Sequence, residues 1–132
     1  MKALDTNVLV RFLVKDDEKQ ARIAYQVFTQ AEYKQDILFV PLLVVLKTIW
    51  VLQSAYEVSD HDIVSAFSEL MQMPVLNFES HQVMQDFVST SRAGNFDLSD
   101  LLIAHSARIL GCQNVLTFDK RASKFKLFKL LE

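Results

Sequence analysis

Four aspartates stand where a fold could put their carboxylates to chemical use. Asp5 sits between Leu4 and the apolar run Val8-Leu9-Val10, and Asp119 directly follows Val115-Leu116-Thr117-Phe118. Asp100 falls in the first turn of a helix announced by Asn95-Phe96-Asp97-Leu98-Ser99, with Asp97 one turn earlier. Taken singly, Asp97 and Asp119 read equally well as cap and turn residues. Asp5 is different, because an acid between two apolar elements is expected to be partly buried and to need a partner. Two carboxylates about 4 Å apart repel by roughly 4 kcal/mol at an effective dielectric near 20, so convergence of such acids calls for a cation. The three histidines, His61, His81 and His105, have no metal-ligand spacing, and there is one cysteine, Cys112. Oxygen-only donors suit a hard ion, Mg²⁺ or Mn²⁺. Such an ion polarises a phosphoryl oxygen and acidifies a bound water, which is the chemistry of phosphodiester hydrolysis.

The surrounding elements decide whether the acids can meet. Lys2 to Leu4 reads as a short buried strand, and Asn7 as the cap of a helix carrying Leu9, Phe12 and Leu13. Asp17 and Gln20 have capping-box spacing ahead of Ala21, Ala24, Phe28 and Ala31 on one helical face. Ile37 to Val40 is a strand that stops at Pro41, which opens a helix through about Ser54. Ser59 starts a helix bearing Ile63, Phe67 and Leu70; Val75-Leu76 is a brief strand. Ser80 starts a helix with Val83, Phe87 and Val88 inward, and Asp97 or Ser99 starts one that ends at Gly111. Val115 to Phe118 reads as a buried strand and Phe125 to Leu131 as a last one at an edge. Strands alternate with helices, and the connections are too long for hairpins. The fold class is therefore α/β, a three-layer α/β/α domain over 1–132 with a central, mainly parallel sheet. In such sheets ligands bind beyond the carboxyl ends of the strands, where Asp5 and Asp119 stand.

Composition removes several alternatives. With 132 residues, 51% hydrophobic and 23% charged, the chain supports one buried core and is not disordered. A lone cysteine excludes an internal disulfide and a cysteine zinc site, and fits a reducing compartment. The start Met1-Lys2-Ala3-Leu4-Asp5 lacks the apolar run of a signal peptide. The longest apolar stretch, Ile37 to Leu52, contains Pro41 and Lys47 and falls short of a spanning helix. A cytoplasmic protein with no membrane partner is expected. The net charge of −2 gives no global attraction to nucleic acid, but Lys120, Arg121, Lys124, Lys126 and Lys129 cluster beside Asp119. They suit a solvated edge strand, a phosphate-contacting patch, or both.

Three of these segments, in register, resemble one family. Leu4-Asp5-Thr6-Asn7-Val8-Leu9-Val10-Arg11 resembles the opening of a PIN domain, and Asp97-Leu98-Ser99-Asp100-Leu101-Leu102-Ile103-Ala104 its third acidic motif. Val115-Leu116-Thr117-Phe118-Asp119-Lys120-Arg121 is similar to the segment carrying its fourth acid. Order, context and length agree over essentially the whole chain, and the likeness is greatest to the VapC-type ribonuclease toxins. The resemblance implies an endoribonuclease toxin acting on RNA with Mg²⁺ or Mn²⁺, a homodimer, and a small antitoxin protein that occludes the site. It assigns the metal and catalysis to Asp5, Asp100 and Asp119. Thr6, Asn7 and Thr117 become supporting polar residues, and Asp97 a supporting or capping acid. Lys120 and Arg121 become candidates for RNA contact.

One departure accompanies the matches. Where the family carries a glutamate early in the helix after its second strand, this chain has Lys47, within Leu43-Val44-Val45-Leu46-Lys47-Thr48-Ile49-Trp50. A lysine in so apolar a helix must find anions or reach water. The expectation is an ion pair with Asp5 or Asp100, weak Mg²⁺ binding and poor cleavage; the other outcome is extension to the surface. The helix is apolar nearly all round, which suggests a central place or a subunit contact. A PIN fold that no longer cuts, but still dimerises and holds antitoxin or RNA, is the competing function. A phosphatase with a nucleophilic aspartate would want a second acid where Asn7 stands, and a phospho-accepting receiver would want adjacent acids after its first strand.

Overall fold

Helix starts in this chain follow the side chains that can accept from otherwise unbonded backbone amides. The computed structural model describes residues 1–132 as two units, Met1–His81 and Gln82–Glu132. The first unit runs β1 (Lys2–Ala3), α1 (Thr6–Val14), α2 (Glu18–Tyr33), β2 (Leu38–Val40), α3 (Leu42–Ser54), α4 (Asp60–Leu70) and β3 (Leu76–Phe78). Asp17 caps α2 by accepting from the Gln20 amide at 3.0 Å, and Ser59 caps α4 by accepting from Asp62 at 3.2 Å. Pro41, which has no amide to leave unbonded, stands at the cap position of α3. At α1 the expectation fails: Asp5, not Asn7, is the cap, accepting from the Thr6 amide at 2.8 Å. Asp5 is already extended, with φ −89° and ψ 165°. The helix therefore begins at the first residue after it, and Asn7 lies inside.

The three strands pair in the order β1-β2-β3, all parallel, with Lys2 opposite Leu38 and Leu38 opposite Leu76. β1 is shorter than expected and exposed; Leu4, just beyond it, is the buried residue. An edge strand of two residues has one hydrogen-bonding neighbour, which leaves Lys2 and Ala3 open to solvent. Beneath the helices the apolar stripes meet as their spacing predicts. Phe12 of α1 stacks on Phe28 of α2 with ring centroids 4.2 Å apart, and Phe67 of α4 meets Phe78 of β3 edge-on at 6.4 Å. Burying each such ring contributes on the order of 2–3 kcal/mol. α3 buries Val45, Thr48, Ile49 and Leu52. It is not central, since Leu43 and Trp50 are 78% and 62% exposed.

The second unit comprises α5 (His81–Ala93), α6 (Leu98–Ile109), β4 (Val115–Thr117), a 3₁₀ turn (Ala122–Lys124) and β5 (Phe128–Leu130). Val83, Phe87 and Val88 are buried on α5, as expected, with Leu98, Leu101 and Leu102 on α6. Asp97, rather than Ser99, caps α6, accepting from the Asp100 amide at 3.0 Å. Beyond α6, Gly111 takes φ +95°, where a side chain would be strained. β4 pairs in parallel with β5. β4 is only half-buried, and Phe118 after it is 80% exposed. A pair of strands has no inner strand covered on both edges, so Val115 to Phe118, expected to be buried, is not. No helix is long and apolar enough to cross a membrane.

Candidate active site

Each unit carries one cavity lined by the residues singled out from sequence. In the first unit a cavity of about 180 Å³ is lined by Asp5, Thr6, Asn7, Arg11, Lys47 and Tyr56, among others. Asp5 is exposed rather than partly buried, because capping α1 holds it at the helix mouth. Thr6 is 4% exposed, and its hydroxyl has no hydrogen-bond partner. Asn7 is exposed at the cavity's rim.

Arg11 and Tyr56 are additions that no sequence signal linked to each other. Arg11 donates through Nε to Gln20 at 2.6 Å, and through Nη1 to Asp16 at 3.1 Å and to the Tyr56 hydroxyl at 2.9 Å. Tyr56 in turn donates to Asp16 at 2.9 Å. The phenol's hydrogen bond holds the Asp16 carboxyl below its ordinary range, aided by the Arg11 charge. Lys47 corrects a further expectation. It forms no ion pair, the chain's pairs being Met1 amino to Asp36 and Arg11 to Asp16. It is exposed. It lines the cavity that also includes Asp5, and an exposed ammonium can stay hydrated without an anionic partner.

The second unit gathers acids in a cavity of about 140 Å³ lined by Asn95, Phe96, Asp97, Asp100, Arg121 and Lys124, among others. Helix capping brings Asp97 and Asp100 together. Asp119 reaches the neighbourhood through its own turn: its amide donates to Thr117 Oγ1 at 3.0 Å, and its Oδ1 accepts from Arg121 N at 2.8 Å and Ala122 N at 3.3 Å. Thr117 thus supports Asp119, as expected of it. Burial raises the Asp100 pKa above the usual carboxylate range, and the charges of Asp97 and then Asp119 push it further up, against a lowering by Arg121. The helix dipole favours an anion at this position, yet burial and like charge win. Lys120 and Arg121 are exposed, and only Arg121 lines the cavity.

These acids suit a hard cation. A field that makes a half-buried carboxyl hold its proton also makes it hold a metal ion. No three acids, histidines or cysteines form a ready-made chelate. Mg²⁺ does not demand one, since it commonly binds one or two carboxylates and keeps several waters. The Asp5 cavity suits a cation less well, for Lys47 and Arg11 already bring positive charge to it.

His105 supports the second cavity from behind. It is 5% exposed, and its ring meets Phe125 edge-on at 5.7 Å; Phe125 packs on Phe96 at 4.9 Å. The Thr90 hydroxyl donates to the Asp86 carbonyl at 2.7 Å. It can therefore only accept from His105 Nε2, 2.9 Å away. That fixes the tautomer and leaves Nδ1 a buried lone pair without a partner. Burial lowers the His105 pKa, with Asp86 opposing and Arg108 and Lys126 assisting. Below pH 6.5 the unfolded chain takes up a proton that the folded ring resists, so stability is lost as pH falls from 6.5 toward the folded pKa. Thermal unfolding between pH 7.5 and 5 is expected to fall more steeply for this chain than for His105→Gln, by at most about 1.4 kcal/mol per pH unit. Parallel slopes would count against the assignment.

Comparison with known proteins agrees with these features. A family model described as PIN domain matches residues 2–127, spanning both units. A VapC ribonuclease of Aquifex aeolicus (strain VF5) is 29% identical over 126 residues, covering 94% of this chain and 91% of that protein.

Proposed function

The chain belongs to the PIN domain family, and on that premise we propose that it is a single-domain, divalent-metal-dependent endoribonuclease toxin, held in check by an antitoxin protein and slowed by its own Lys47. The observation that carries this reading is the Asp100 carboxyl, half-buried, in the field of Asp97 and Asp119, with Asp97 and Arg121 on the same cavity wall. Mg²⁺ or Mn²⁺ bound there would polarise the scissile phosphate and acidify a water. The roles carried over from the resemblance name Asp5 in the first unit, and Asp100 and Asp119 in the second, as metal-binding acids. Asp97 fixes the start of α6 and so the position of Asp100; Thr117 fixes the turn that holds Asp119. Arg121 meets phosphate charge. The name of the relative, VapC ribonuclease, supports RNA as substrate, and the resemblance to VapC-type toxins supports a toxin–antitoxin setting. The open apolar face of α3 at Leu43 and Trp50 supports a partner chain, a second copy or the antitoxin.

Slow cleavage of RNA by the purified chain is expected with Mn²⁺ or Mg²⁺, falling to background in EDTA and returning when the metal is restored. Gel analysis of a labelled RNA reads it directly. Cutting that persists in EDTA would overturn the metal-dependent reading. The same fold without activity, a binding module for antitoxin or RNA, is the second reading, favoured by one observation: Lys47 on the wall of the Asp5 cavity.

A further inference from the structure

We infer that the second-unit cavity is a nucleotide subsite, in which Phe96 supplies a face for an RNA base and Asn95 reads its edge; this rests on the nuclease reading above. The wall is built rather than incidental. A methyl group added at Gly94 would lie 2.5 Å from Phe96 Cε2, so the absence of a side chain at Gly94 lets the ring fold back on its own loop. Phe96 also meets Phe125 at 4.9 Å and 57°, and Phe125 is itself braced by His105. The ring is thereby fixed yet remains half-exposed on the cavity.

Around that ring stand the other groups a nucleotide needs. Asn95 is exposed, and no hydrogen bond within the chain engages its carboxamide. It offers one acceptor and two donors, enough to pair with a base edge. Arg121 and Lys124 line the same cavity and form no ion pair, which leaves both free for phosphate. Asp100, also on the wall, places the reacting phosphate next to the base being read. An aromatic face, a free amide and two cations in one cleft are how unstacked single-stranded RNA is held. Asn95 would then be a specificity-determining residue, choosing the base beside the cut.

Titrating the ¹⁵N-labelled chain in Mg²⁺ with each of the four 5′-mononucleotides and with inorganic phosphate tests the subsite. Amide shifts are expected at Asn95, Phe96 and Arg121, with nucleotides binding more tightly than phosphate and unequally among bases. Phe96→Leu should weaken every nucleotide about tenfold and leave phosphate unchanged. Asn95→Ala, at an exposed position without a hydrogen bond to lose, should level the ranking of bases and broaden the sequences cut in a random RNA pool. Nucleotides binding no better than phosphate, or shifts confined elsewhere, would overturn the subsite. So would an Asn95→Ala variant that binds nucleotides differently yet cuts the same sequences, since the cavity would then serve a free nucleotide. If the chain binds nucleotides as described but never cuts RNA, the nuclease reading fails and the nucleotide cavity stands. If it cuts RNA and Asn95→Ala changes neither binding nor pattern, the reverse holds.

Discussion

Lys47→Glu is expected to raise Mn²⁺- or Mg²⁺-dependent RNA cleavage by several tens of fold. The cavity that holds Asp5 contains one carboxylate and two cationic side chains, Lys47 and Arg11. Arg11 is paired with Asp16 and bonded to Tyr56, so of the two cations it is the better compensated. Lys47 has no partner and faces water, and its charge acts on whatever Asp5 binds. At roughly 7 Å and a solvent-like dielectric near 80, a pair of unit charges interacts by about 0.6 kcal/mol. Changing one side chain by two charges opposite a dication multiplies that fourfold, to about 2.4 kcal/mol, or roughly fifty-fold in affinity. Mn²⁺ binding followed by electron paramagnetic resonance should tighten in parallel with activity. Stability should change little, because an exposed side chain without an ion pair is being exchanged for another.

That variant also separates the two functional readings. If Lys47→Glu binds Mn²⁺ tightly and still leaves RNA intact, the chain is a binding module whose acids hold a metal without cutting. If neither metal affinity nor cleavage responds, Lys47 does not govern the Asp5 cavity. Where Lys47→Glu does tighten metal binding, Asp5→Asn in that background should return it to the level of the starting chain, without unfolding it. The lost cap is retained in part, since the asparagine side-chain oxygen still accepts from the Thr6 amide.

Much of the local structure was legible because it depends on near neighbours. Asp17, Ser59 and Asp97 each cap a helix through the amide three residues on, and that chemistry is written in a few consecutive letters. Pro41 and the apolar spacing of α4 and α5 are equally local. What escaped was set by groups far apart in the chain. Tyr56 reaches Arg11 and Asp16 across 45 and 40 positions, and nothing in either segment names the other. In the sequence Phe96 fits packing better than base stacking; only its approach to Gly94 and its contact with Phe125, itself against His105, put a half-exposed ring on the cavity wall. Lys47 was misread as ion-paired because apolar neighbours in sequence suggested burial. On a helix the i, i+4 and i+7 positions Leu43, Lys47 and Trp50 share one face, and that face is exposed.

Asp100→Asn should remove RNA cleavage, by at least about a hundredfold or 2.7 kcal/mol of barrier, while leaving the fold as stable as before or more so. The two effects have one origin. In the folded chain Asp100 is partly desolvated and sits in the field of Asp97 and Asp119, which raises its pKa. A carboxyl whose folded pKa is raised holds its proton more tightly folded than unfolded. Its ionised form therefore costs stability at every pH above its unfolded value, and the cost is absent where both states are protonated. Asparagine matches the shape, keeps the backbone amide that Asp97 caps, and carries no charge to be repelled. It should melt at the same temperature or higher near neutral pH. The excess should shrink as the medium is acidified toward the ordinary carboxylate range. The same missing charge leaves a cation without its half-buried anion, and the chemistry goes with it. Measured in the Lys47→Glu background, where cleavage is fastest, the loss is easiest to see. A variant that melts early would mean the carboxylate is structural; one that cuts RNA at full rate would mean the acids of the second unit do not hold the metal.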